Sequence, residues 1–169
     1  NNFRSPFTER RKRMLLNVFE LEIHKAGFKN EQIKIMLINI RRFLNFVKDN
    51  PKNVNQSRIS FFIESTFEQY RKFTAQTLKF LYVDIYGYYD YFDFFAEFLD
   101  FDECIPLKFS DYVNDCVDEL RLKNYSVYTI KMYKNTLIRI FLHFKIEPEN
   151  ITPDDIRNYI LMLKDKQNI

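Results

Sequence analysis

Residues 17–63 of this chain recur, without insertion or deletion, 97 positions further on. The offset pairs Asn17 with Asn114, Phe28 with Tyr125, Ile33 with Ile130 and Lys34 with Lys131. It also pairs Arg42 with Arg139, Lys48 with Lys145, Pro51 with Pro148, Asn53 with Asn150, Ile59 with Ile156 and Ile63 with Ile160. Apolar agreement alone could reflect a shared helical period. Agreement of Lys, Arg, Asn and Pro at the same offset is not imposed by that period. The chain therefore reads as one supersecondary unit written twice.

The unit is helical. Only 2 Gly and 5 Pro in 169 residues are too few turn formers for an all-β chain. In the first copy the apolar spacing predicts a helix from about Glu9 to Lys25, with Leu15, Leu16, Phe19 and Ile23 inward and Gly27 as its stop. A second helix runs from about Asn30 to Lys48, burying Ile33, Ile40, Phe43, Leu44 and Val47, and Asn50-Pro51 breaks it. Asn55 caps a third that carries Ile59, Phe62 and Ile63. Thr74 is expected to cap a fourth, from Ala75 to about Phe98, which is crowded with aromatics and interrupted at Gly87. Asp100–Lys108, with Pro106, reads as the linker, so the expected domains are 1–103 and 104–169. The second copy predicts helices from Ser110 to Leu122, from Ser126 or Thr129 to about His143, and from Thr152-Pro153. In the middle one, Ile130, Tyr133, Leu137, Ile140, Phe141 and Phe144 share one face. In the last, Ile156, Tyr159, Ile160 and Leu163 are expected to be buried. By the offset, the second copy's fourth helix would start near position 171, so its apolar residues are expected to be partly uncovered. A chain that starts at Asn1 rather than Met is expected to be a piece of a longer protein.

Charge is distributed unevenly. Positions 1–79 hold 16 Lys/Arg against 7 Asp/Glu, positions 80–107 none against 7, and positions 108–169 10 against 9. A basic first segment points to an acidic partner. The aromatic run 80–101 offers stacking surfaces, but its acids would repel a phosphate backbone, so packing is the better reading. On the helix Asn30–Lys48 the polar face presents Lys34, Arg41 and Arg42, with Lys29 at its entry. In the second copy Lys131, Lys134, Asn135 and Arg139 are the counterparts, with Lys123 and Asn124 at the turn before them. Cations and amides on one helix face suit phosphates and base edges of duplex DNA. The plainer alternative is a solvated face. Ile138 and Leu142 also fall on that side and suggest partial cover by protein or nucleic acid. Arg10–Arg13 are expected to add a flexible backbone grip, and residues 1–9 a loose arm.

Catalytic chemistry finds little to stand on. His24 and His143 are isolated, Cys104 and Cys116 lack metal-ligand spacing and read as reduced thiols, and the carboxylates are scattered. No cofactor or metal is expected, and the chain by itself is not expected to be an enzyme. No apolar run is long enough to span a membrane and no signal peptide is visible, so a cytoplasmic protein is expected.

The region from about Ser110 to Lys166, centred on the stretch Leu120–Phe144, resembles the tyrosine recombinase (phage integrase) family. The resemblance rests on Leu120-Arg121, Ser126, Thr129-Ile130 with Tyr133, Leu137, Phe141-Leu142 with Phe144, Ile151-Thr152 with Asp155-Ile156, and Tyr159-Ile160. It implies an all-α fold of two SAM-like, four-helix-type units in tandem, the second lacking its last helix. It further implies the DNA-binding, non-catalytic N-terminal region of a site-specific recombinase, gripping duplex DNA and associating with other recombinase protomers. The family's catalytic Arg, Lys, His/Arg and nucleophilic Tyr set is not found in the sequence. A helical protein–protein interaction module is the alternative.

Overall fold

The computed structural model describes residues 6–145 and 147–167, and all regular structure among them is helical. The chain divides into two compact units, Asn1–Cys104 and Ile105–Ile169.

The first unit opens with α1 (Glu9–Lys25), capped by the Thr8 hydroxyl, which accepts from Arg11 N–H at 3.3 Å. Arg10–Arg13 thus lie in the first turns of a helix, not in a flexible grip, and Lys12 Nζ donates to Asn45 on the next helix. The arm expected over residues 1–9 falls, for residues 1–5, outside the described residues. Gly27, with φ +80°, turns the chain into α2 (Asn30–Val47). Ile33, Ile40, Phe43, Leu44 and Val47 are all buried, as the 3.6-residue period requires. Pro51–Asn53 forms a 3-10 turn, and α3 (Gln56–Ser65) starts on the Asn55 side chain, which accepts from Arg58 N–H at 2.9 Å.

The fourth helix departs from expectation. α4 begins at Glu68, and Thr74 lies in mid-helix with its buried hydroxyl unpartnered. The turn before it is stapled by Arg71, whose guanidinium donates to the carbonyls of Thr66 (3.0 Å) and Glu64 (2.9 Å). At Phe80 the helix widens into a π-helical segment, Phe80–Ile85, and Gly87 (φ +72°) ends it. The predicted run to Phe98 is therefore broken into a 3-10 turn (Tyr89–Tyr91) and a short α5 (Phe92–Phe95), and a further short helix, α6 (Phe101–Cys104), lies in the stretch expected to be the linker. Widening suits this stretch, because wide aromatic side chains crowd a regular turn. α4 and its continuation pack across α1, α2 and α3 and close the core. Phe80 sits edge-on to Phe19 (5.6 Å) and Phe28 (5.4 Å), while Tyr82 Oη donates to the Pro51 carbonyl at 2.7 Å. Tyr82, Tyr86, Tyr88 and Tyr91 form one ring cluster, so the aromatic run is packing material.

The second unit contains α7 (Leu107–Leu122), α8 (Val127–Phe144), a 3-10 turn (Pro148–Asn150) and α9 (Pro153–Gln167). Ser126, not Thr129, caps α8, accepting from Thr129 N–H at 3.1 Å. α9 starts on a reciprocal cap: Asp155 N–H donates to Thr152 Oγ1 (3.2 Å), and Thr152 N–H donates to the Asp155 carboxylate (2.9 Å).

Local structure repeats at the same offset as sequence. α2 and α8 share both ends, the two 3-10 turns coincide, and α3 and α9 start at equivalent positions. The left-handed residues coincide too: Gly27 (φ +80°) with Asn124 (φ +60°), and Lys48 (φ +51°) with Lys145 (φ +54°). Where the first unit breaks after Ser65 and turns into α4, the second continues α9 to Gln167.

Candidate nucleic-acid interface

α8 carries the second unit's predicted contacts. Lys131 and Arg139 are exposed, and at 1.5 Å per residue their backbone positions stand about 12 Å apart along the helix. Lys134 and Asn135 are half-buried, and Lys134 lines an apolar hollow between α7 and α8. Ile138, on the same side of α8, is wholly buried, so this face is not an open polar strip throughout. Lys123 and Asn124 are exposed at the α7–α8 turn, where Asn124 takes a left-handed backbone that its short polar side chain tolerates. The unpaired N–H groups at the start of α8 share that end of the unit.

In the first unit Lys29 takes the N-cap position of α2, and its N–H donates to Gln32 Oε1 at 3.1 Å. Lys34, Arg41 and Arg42 are exposed along α2 together with Ile38. The Arg42 guanidinium lies over the Phe62 ring at 5.8 Å, and that of Arg58, which also donates to the Val47 carbonyl, lies over Phe46 at 5.7 Å. Stacking holds these planar cations in defined orientations without neutralising them. Arg58 was not singled out in sequence; an arginine three residues past an N-cap carries no signal of its own.

Other charged groups are structural. Lys79 and Asp84 form an ion pair at 2.9 Å with side chains only 7% and 8% exposed. Lys72 pairs with Glu103 at 2.8 Å, and Glu103 also accepts from Gln76. Partial burial works to raise the Glu103 carboxyl, but the hydrogen bonds from Lys72 and Gln76 outweigh it and hold the group below its usual range. Burial pushes the Cys104 thiol up to about 11. Among the described residues, no three His, Cys, Asp or Glu side chains converge on a common metal position. His143 packs on Phe144 (5.1 Å) and Tyr159 (5.0 Å). No helix among the described residues is long and apolar enough to cross a membrane.

Residues 113–169 match the family model of the phage integrase N-terminal SAM-like domain. The match begins inside α7 and takes in the α7–α8 turn, with Lys123 and Asn124, then α8, with Lys131, Lys134, Asn135 and Arg139, and α9. It relates this SAM-like region to the tyrosine recombinases. No curated protein and no solved structure matches the chain.

Proposed function

We propose that this chain is a duplex-DNA-binding element of a site-specific recombination system. Its second, SAM-like unit grips the duplex through α8 and the turn before it, and the first unit repeats that grip through α2. In this reading the chain binds and positions DNA, and strand transfer is performed by residues outside it. The observation that carries the reading is the recurrence of two exposed cations at equivalent helix positions, Lys34/Lys131 and Arg42/Arg139, with one copy inside the integrase-domain match. An α-helix fits the major groove of B-DNA, and cations spaced along it reach successive phosphates.

The test is fluorescence anisotropy with labelled duplex DNA over roughly 50–200 mM salt. Each phosphate contact contributes about 0.9 to the slope of log affinity on log salt. Lys131→Ala with Arg139→Ala should flatten that slope by about two units and weaken binding to every sequence alike. Affinity that ignores both salt and these substitutions would overturn the assignment.

A further inference from the structure

We propose that the corner where α2 meets α3 is a stacking platform for an unpaired nucleobase of DNA, with the Phe61 ring as its outer face. The class of ligand rests on the DNA-binding reading, and the mode of contact on ring geometry. One exposed phenylalanine is ordinary on a protein surface. What surrounds Phe61 sets it apart.

Phe61, on α3, is 61% exposed and lies nearly parallel to Phe46 of α2, with ring centroids 6.0 Å and planes 20° apart. Phe46 leans in turn on Phe62 (5.2 Å), and Phe62 on the wholly buried Phe43 (5.2 Å). A row of rings therefore runs from the core to the surface, and its last member is open to solvent. Arg42 and Arg58 flank the row, over Phe62 at 5.8 Å and Phe46 at 5.7 Å. Phe46 stands one turn, about 6 Å, beyond Arg42 on the same side of α2. Positions 41–58 hold five Lys/Arg against one acid, Asp49, whose half-buried carboxylate accepts from Asn50 N–H at 2.7 Å. The one acid of α3, Glu64, accepts from Ser60 Oγ at 3.3 Å. Cations are thus in excess around the exposed ring.

The internal repeat separates what the fold needs at this corner from what it does not. Phe46, Phe62 and Arg42 are equivalent to His143, Tyr159 and Arg139, and the His143 and Tyr159 rings also meet, at 5.0 Å. The inner ring pair is a joint between neighbouring helices in both units. In the second unit that joint is shallower: Tyr159 is half-buried and Ile156, Ile160 and Leu163 are exposed, so the expected buried face of α9 is not met among the described residues. Phe61 and Arg58 are equivalent to Asn158 and Asp155, so the outer ring and the second cation belong to the first unit alone. An aromatic face stacks on any base, and cations beside it hold the backbone that carries the base. Within a duplex each base is covered on both faces by its neighbours. The ligand is therefore a single strand or a gap, whose bases are free to lie on Phe61.

The probes are a fluorescein-labelled oligothymidylate of about ten nucleotides and a sugar–phosphate strand of the same length without bases, each titrated with the full chain. Both carry the same phosphates. The oligothymidylate is expected to bind about tenfold tighter, the factor that one aromatic stacking contact contributes. Phe61→Ala and Phe61→Leu should remove the difference, because neither side chain offers a flat ring, and Phe61→Tyr should keep it. The side chain is exposed, so circular dichroism should not change in any of the three. None should alter the salt slope on intact duplex, so a missing slope refutes the duplex grip and a missing preference for bases refutes the platform. Equal binding of the two strands, or a preference for bases that survives Phe61→Leu, would overturn the proposal. So would a dimer, seen by sedimentation, that Phe61→Ala dissociates, since a second copy would then cover the ring.

Discussion

Phe80→Ala in the intact chain tests whether the π-helical segment seals the first unit's core. The ring is 4% exposed and makes edge-to-face contacts with Phe19 at 5.6 Å and Phe28 at 5.4 Å. Removing it forfeits about 2–3 kcal/mol of ring burial and two aromatic pairs of about 0.5–1.5 kcal/mol each. The total agrees with the roughly 3–5 kcal/mol found for Phe→Ala in protein cores. With a urea dependence of about 2 kcal/mol per molar, the midpoint should fall by about 2 M. The assay is urea unfolding followed by far-ultraviolet circular dichroism, with Phe67→Ala as control. Phe67 is 80% exposed, and its truncation should stay within about 0.5 kcal/mol. If Phe80→Ala moves the midpoint no further than Phe67→Ala, the segment does not seal the core.

Lys79→Met alone would leave the Asp84 carboxylate buried without its ammonium partner and should cost about 3–5 kcal/mol in a thermal melt, whereas Lys79→Met with Asp84→Leu should come within about 1 kcal/mol of the parent or above it. Asn124→Gly should stabilise by a few tenths to about 1 kcal/mol and Asn124→Val should destabilise by about 1–2, because a Cβ at φ +60° crowds the backbone. The Cys104 thiol is raised by burial from 9.0 to about 11, so it favours the folded state fully below pH 9, and that contribution should fade as pH rises towards 11; alkylation at pH 8 should label Cys116 faster, as mass spectrometry would read. The Asp155 carboxyl is held low by the Thr152 N–H, so its contribution exists above its ordinary value of 3.8 and is lost as pH falls below it; Thr152→Ala, which removes the hydroxyl cap, should cost about 1 kcal/mol at neutral pH by helix melting.

Sequence and structure part company at the fourth helix. Thr74 looked like a cap because threonine caps helices, but the turn at Ser65–Phe67 is fixed by Arg71 reaching back to two carbonyls, an interaction without local spacing to announce it. The buried pair Lys79–Asp84 and the bond from Tyr82 to Pro51 were equally silent, since their meaning lies in burial and in contacts across 31 residues. Periodicity correctly chose the inward faces of α2 and α3, where another helix covers them. On α9 it chose a face that stays open, because periodicity reports which side is apolar and not whether anything lies on it.

The sequence by itself determined the helical class, the repeat, the caps at Asn55 and Thr152, and the turns at Gly27 and Pro51 and at their counterparts in the second copy, and it left the cap of α8 between Ser126 and Thr129. All of these follow from short-range physics: hydrophobic period, backbone freedom and hydrogen bonds within a few residues. Only the tertiary structure decided that α4 widens at Phe80, that Ile138 is buried beside Lys131 and Arg139, and that equivalent apolar faces are sealed in one unit and open in the other. Those outcomes depend on which distant surfaces meet, and an apolar side chain carries the same letter whether or not a partner covers it.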